Sequence, residues 1–416
     1  MGKIDFKLRS ALHSLLYVWW QEMKLSVRDQ GMLIFFYLFP LFYPLLYAFI
    51  YNEETVHEVP AVALDESHSA LSREFLREMD GTPAVHFVAY AADMEEARAV
   101  LREQGAYGIV RIPASFASDL AQRSQTRVFL YCDMSGLLYY KSLLMSATDV
   151  SLEMNADIRI AASGNTTDEQ DETTAQPIAY RDVPLFNSTA GFAAFLIPAV
   201  LMLVLQQIML LGVGLSVGTA REMNRFRDFV PMTRYHRSVL PLVFGKALCY
   251  FLITLASSAY VLCVVPQIFR LNRLAAPGDL LAFVVPYLLA CVFFAMTCSV
   301  FVKRRENCMP VFVFSSLPLL FISGISWPGT SIPEGWRWFS CLFPSTFGIN
   351  GYVRLNTMGA SLYDVLPEYR ALWIQAGVYF LTTCLVYKWN LLLARSHVRE
   401  RYRQLRSHFV LRSEKR

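Results

Sequence analysis

Residues 321–359 read FISGISWPGTSIPEGWRWFSCLFPSTFGINGYVRLNTMG. An apolar run ends at Phe321-Ile322. Gly324, Pro328, Gly329, Pro333, Gly335, Pro344, Gly348 and Gly351 then interrupt the chain, with Trp327, Trp336, Trp338, Phe339, Phe343 and Phe347 between them. The stretch is too broken for one spanning helix and too apolar for an ordinary loop. Irregular backbone at membrane depth is tolerated only where protein buries it or water reaches it. We therefore expect a helix that rises, breaks and dips back as a re-entrant hairpin over about residues 325–358, with tryptophans at headgroup level. The competing arrangement is an extracytoplasmic loop carrying an interfacial helix.

Composition agrees with a membrane setting. Of 416 residues, 55% are hydrophobic and only 17% charged, where soluble domains carry about a quarter charged residues. The net charge of +4 gives no reason to expect nucleic acid. Seven of the eight cysteines lie in or beside apolar segments, and Cys132 stands alone in the large polar region. An intradomain disulfide there is impossible. No C-x-x-C or other ligand spacing points to zinc or redox chemistry.

Outward from the broken stretch, the chain divides readily. Residues 1–29 are basic and amphipathic, with Leu8, Leu12, Leu15, Leu16, Trp19 and Met23 on one helical face. This pattern predicts a cytoplasmic interfacial helix lying on the bilayer. No cleavable signal peptide is evident. Residues 30–51 hold no charge and form the first expected span, kinked at Pro40 and Pro44. From 52 to 188 strands at 59–64, 84–90, 106–112 and 126–132 alternate with helices at 66–79, 93–104, from Pro113 to Arg123, and at 136–161. That alternation predicts an extracytoplasmic α/β domain.

Residues 189–394 hold the remaining expected spans, at about 190–217, 239–266, 279–302, from 308, and 371–394. The fold class expected is thus an α-helical integral membrane protein of six transmembrane helices plus the hairpin, with the α/β domain inserted after the first span. Gln206 and Gln207 put two amides inside hydrocarbon, which is costly without partners. They line a translocation path or subunit interface, or they bond between helices of one monomer. Basic residues crowd the N-terminus, the 218–239 loop, residues 303–305 and the tail 395–416, and six spans put all four on one side. By the positive-inside rule that side is the cytoplasm. No internal repeat is evident. No Asp or Glu lies in the interior of a span, which argues against an ion-driven carrier. Lys246 and Lys388 sit near span ends, where they are expected to snorkel. There is no G-x-x-x-x-G-K-[ST], so a P-loop nucleotide site is absent from the sequence.

Three stretches carry a family resemblance. FISGISWP…IPEGWRWFSCLFPSTFGINGYVRL resembles a hairpin pattern of F-x-x-G, prolines and a late arginine, here Gly324, Pro328, Pro333, Pro344 and Arg354. AREMNRFRDFVPMTRYHRSVLPLVFGKAL resembles a cytoplasmic coupling segment ending in Gly245-Lys246. VPAVALDESHSALSREFLREM through VFLYCDMS resembles a periplasmic domain. Together they resemble the permease subunits of type-2 ATP-binding-cassette exporters, in the bacterial branch with a large periplasmic domain. One departure is that Met223-Asn224-Arg225-Phe226 stands where that family usually has Glu-x-Gly-Thr.

The resemblance implies a permease without its own ATPase site or cofactor, with ATP and magnesium held by a separate nucleotide-binding subunit. That subunit would dock on Arg221, Glu222, Arg225, Phe226, Asp228, Phe229 and Arg234, an apolar anchor with a charged rim. It further implies a second permease copy or paralogue, a membrane-fusion adaptor and outer-membrane channel, an inner-membrane location with cytoplasmic termini, and an amphipathic or apolar cargo. The alternative is a membrane-anchored receptor whose α/β domain binds a ligand. A membrane enzyme would need a converging acid, base or metal set, which the sequence lacks.

Overall fold

The computed structural model describes residues 2–51, 56–164, 167, 170–171, 173, 185–187, 191–223, 239–302 and 304–413. The chain forms two compact units. One comprises Met1–Glu54 with Leu185–Arg416, the other Thr55–Pro184.

The larger unit is helical. Helix α1 is Gly2–Arg28, and Asp29 caps the start of α2, Gln30–Ile50, accepting from the amides of Gly31 and Met32. Four helices among the described residues are long and apolar enough to cross a membrane: Gln30–Ile50, Phe192–Glu222, Leu240–Ile268 and Pro277–Phe301. Helix α2 contains a wide π turn at Ile34–Leu38, just before Pro40, and Leu240–Ile268 another at Tyr260–Val264, just before Pro266. The cause is common to both. A proline ring cannot sit over the carbonyl four residues back, here that of Phe36 or Leu262, and a wider turn makes room.

The smaller unit holds β1 Val59–Asp65, α3 Ala70–Asp80, β2 Val85–Ala91, α4 Met94–Glu103, β3 Gly108–Ile112, α5 Phe116–Ala121, β4 Phe129–Cys132 and α6 Leu137–Ser163. The sheet order is β2-β1-β3-β4. β1 pairs parallel with β2 and β3, and β4 pairs antiparallel to β3. Central β1 is buried on both faces, so its VPAVAL reads as a continuous apolar run. Ser69 and Ser72 cap α3 reciprocally, and the Ser72 hydroxyl also donates to Asp65 at 2.8 Å. Arg111 makes two parallel bonds to Glu66, at 2.9 and 3.0 Å. The expected helix from Pro113 to Arg123 is shorter, because the Pro113 carbonyl closes a turn on the Phe116 amide and Arg123 adopts φ 58°.

Two side chains in this unit give measurable signatures. Burial, then the carboxylates of Glu153, Glu74 and Asp157, raise the Glu78 carboxyl above its ordinary value. A raised carboxyl pKa means the folded state holds the proton longer, so stability falls as pH rises through the carboxylate range. Glu78→Gln should therefore flatten the pH dependence of this unit's unfolding between about pH 4 and 6; an unchanged profile would refute the assignment. Burial also pushes the Cys132 thiol up to about 11. Its peptide should alkylate on the order of a hundredfold more slowly at pH 7 than an ordinary thiol, read by mass spectrometry.

In the helical unit, α7 is Phe192–Glu222, α8 Leu240–Ile268 and α9 Pro277–Cys298. Helix α7 is apolar on every side, and nearly all of it is buried among α2, α9 and the helices that follow. A helix hydrophobic all round belongs at the centre of a bundle. Residues from 308 form α10, Cys308–Ile322, of 15 residues. The chain then breaks at Gly324, where φ is +91° and only glycine is unstrained. Two short helices follow, α11 Glu334–Ser340 and α12 Pro344–Asn356, before α13, Leu366–Ser413, which contains residues 371–394. Helix α12 packs on α7 and α9. Its Gly348 lies against the Tyr287 ring and its Gly351 against that of Phe283.

Candidate functional site

A buried cluster of charged and hydroxyl groups lies where α1, α7 and α8 meet. Val18, Glu22 and Ser26, at i, i+4 and i+8, form the buried ridge of α1. Leu12 and Leu16, on the face expected to lie on the bilayer, point outward, 58% and 48% exposed. Gly245 of α8 lets the backbone of α1 approach at Leu15 and Val18. The approach brings the Glu22 carboxylate to Lys246, with Nζ to Oε2 at 2.6 Å. Both residues are almost wholly buried, at 3% and 2% exposed. Lys246 therefore does not snorkel; a carboxylate from outside the span neutralises it. The other Glu22 oxygen accepts from Ser216 of α7 and from Tyr250 of α8, whose hydroxyl oxygens are 2.9 Å apart. A buried ion pair survives desolvation only when its remaining lone pairs are bonded, and Glu22 meets that condition.

A second tier lies alongside. Arg305 forks onto Asp29, at 2.9 and 2.8 Å, while its backbone amide donates to Glu222 at 2.8 Å. Arg221 donates to the carbonyls of Val300 and Val302 and, at 3.1 Å, to Asn390 of α13. The end of α7 is thus tied to the start of α2, to the α9–α10 link and to α13. A groove of about 530 Å³ between α1 and α7 is lined by Gln21, Lys24, Arg28, Asp29 and Met223. Of the expected docking residues, Arg221 and Glu222 join this network. Arg225, Phe226, Asp228, Phe229 and Arg234 lie outside the described residues.

Gln206 and Gln207 part company. Gln206 is fully buried and its oxygen accepts from the Ser345 amide at the start of α12, at 2.7 Å. Gln207 has no hydrogen-bond partner at either amide atom among the described residues and faces a cavity of about 270 Å³. Phe35, Phe39, Tyr43 and Tyr47 of α2 and Ser316 and Leu317 of α10 are among its other lining residues. In the broken stretch, Pro344 opens α12 at a position where its missing N–H costs nothing. Pro328 and Pro333 flank a 3₁₀ turn. Arg354 bonds Glu368 at 3.0 Å and the Asp364 carbonyl at 2.9 Å. The Asp364 carboxyl, bonded by Ser361 and near Arg354, is held below its usual range.

Sequence reasoning missed Glu22, Asp29, Ser216, Tyr250 and Arg305. One signal was available: a lysine inside an apolar run demands a counter-charge, and Glu22 stands on the neighbouring amphipathic helix.

Residues 31–385 match the family described as ABC-2 family transporter protein. The chain belongs to that family. A comparison with curated proteins found no match. This ABC-2 protein is the membrane permease component of an ATP-binding-cassette transporter, an integral membrane protein of a class that pairs with ATPase subunits and carries no nucleotide-binding domain. Among the described residues, no group of His, Cys, Asp or Glu is placed to hold a metal ion.

Proposed function

We propose that this permease exports an amphipathic or apolar small molecule, driven by a separate nucleotide-binding subunit that docks where residues 224–238 leave α7. The observation that carries this is the pair of polar tiers at that end. Glu22, Lys246, Ser216 and Tyr250 join α1, α7 and α8, and Arg221, Glu222, Asp29 and Arg305 join α7 to α2, the α9–α10 link and α13. A force applied beside Glu222 would reach the second tier through charge-assisted bonds and the first through α7 itself. ATP and magnesium belong to the partner subunit.

In this proposal α10 and the 371–394 part of α13 complete six spans. The two short helices α11 and α12 are the arms of a re-entrant hairpin. Trp327, Trp336 and Trp338, all exposed, meet the headgroups. The termini face the cytoplasm, and the unit formed by Thr55–Pro184 faces the periplasm of a bacterial inner membrane. Two permeases form the working unit, and a membrane-fusion adaptor with an outer-membrane channel receives the cargo. The cavity beside Gln207 lies on the cargo path.

The test is co-purification of the full chain with the ATPase encoded beside it, then ATP hydrolysis in lipid. The intact chain should retain the ATPase and change its turnover. A chain lacking 224–236, which keeps Arg221 and Glu222, should reach the membrane, keep its fold and lose the ATPase. Retention of the ATPase by the deleted chain would overturn the docking assignment.

A further inference from the structure

Helix α6 carries an apolar ridge on the wrong side for folding. Its inward ridge is Leu143, Ser146, Val150 and Met154, all buried. The opposite ridge faces solvent, yet it carries Leu138, Met145 and Leu152 at intervals of seven, exposed at 43%, 54% and 43%. Leu137 and Leu144 flank it, also exposed. A solvated helix face is normally polar, and a row of apolar residues seven apart keeps to one side of the helix, where a second helix can lie along it.

We propose that this ridge is a docking surface for the same ridge of a second copy of this chain, the two α6 helices crossing antiparallel about a two-fold axis at Met145. The commitment to a second copy comes from charge. In such a pairing residue 145 meets itself, Leu138 meets Leu152, and Lys141 meets Asp149 on both sides of the axis. Lys141 and Asp149 are exposed, and neither has an ion-pair partner within 4.0 Å among the described residues. The surface is self-complementary, as a two-fold contact requires. A parallel pairing would set Lys141 against Lys141 and gain nothing.

One helix pair falls short of the roughly 1,200 Å² that specific, stable complexes bury. The contact therefore depends on the membrane to hold two copies close, where a weak interface acts at high effective concentration. It rests on the proposal of a two-permease unit and adds to it a contact between the two Thr55–Pro184 units.

The test uses the full chain in native membranes with Met145→Cys under mild oxidant. A side chain on a two-fold axis meets its copy within the reach of a disulfide, about 7 Å between Cα atoms. The expected result is a disulfide dimer for Met145→Cys, and none for the unmodified chain or for Arg98→Cys on exposed α4. Adding Lys141→Glu should cut the yield about fivefold through two like-charge contacts. Adding Asp149→Lys to that variant should restore it. These side chains are exposed, so the core is untouched. Differently tagged copies, co-purified without oxidant, report the two-permease unit independently. Copies that co-purify without the 145 disulfide, or a disulfide from 145 to a different protein, would overturn the α6 contact and leave the two-permease unit standing. Copies that do not co-purify would overturn both.

Discussion

Glu22→Ala is expected to destabilise the protein by about 3–5 kcal/mol, because it strands Lys246 as a buried cation without a counter-charge. The substitution also leaves Ser216 and Tyr250 without the acceptor they share. Thermal unfolding in detergent would show it as a large drop in midpoint and a loss of yield. The double variant Glu22→Leu with Lys246→Met should recover most of that loss, since replacing both partners with apolar groups of similar volume is often neutral or stabilising. A Glu22→Ala protein that melts like the unmodified chain would show that the pair is hydrated, contrary to the geometry. If the double variant folds but no longer alters the turnover of its ATPase, the charge pair itself transmits the stroke.

A second large effect is expected at Gly348. A Cβ there would enter the ring of Tyr287. That ring cannot swing away: it is fully buried, and its hydroxyl donates to the Met202 carbonyl at 2.5 Å. Gly348→Val should therefore push α12 off α9, at a cost of about 1–3 kcal/mol or more from overpacking. Gly377 of α13 is a control in the same fold, because no atom lies within 4 Å of its Cβ position. Gly377→Ala should be neutral or stabilising by up to about 1 kcal/mol. Equal melting of the Gly348 and Gly377 variants would refute the close packing of α12.

The elements of the smaller unit were legible because its strands and helices alternate at short range, with caps such as Ser69 and Asp93 at helix starts. Periodicity and capping are local, so a single sequence displays them. The break at Gly324 was legible for the same reason. The polar junction was not. Glu22 and Lys246 are far apart in the chain, and the amphipathic pattern of α1 pointed to its leucines. Burial of Val18, Glu22 and Ser26 on another face was decided by tertiary context, through the close approach that Gly245 allows. Gln206 and Gln207 show the same limit: adjacent and chemically identical, they are separated only by where α12 begins, since the Ser345 amide reaches one and not the other.

The Glu22–Lys246 pair also bears on how the chain is made. Glu22 leaves the ribosome long before Lys246 does. Helix α1 waits with a carboxylate on the ridge that will be buried, and water satisfies it meanwhile. Lys246 lies about two turns inside α8, where an ammonium without a counter-charge is costly. The final packing of α8 therefore waits on a helix already in place. The late segment carries the requirement and the early one holds the answer, so assembly order is written into one salt bridge.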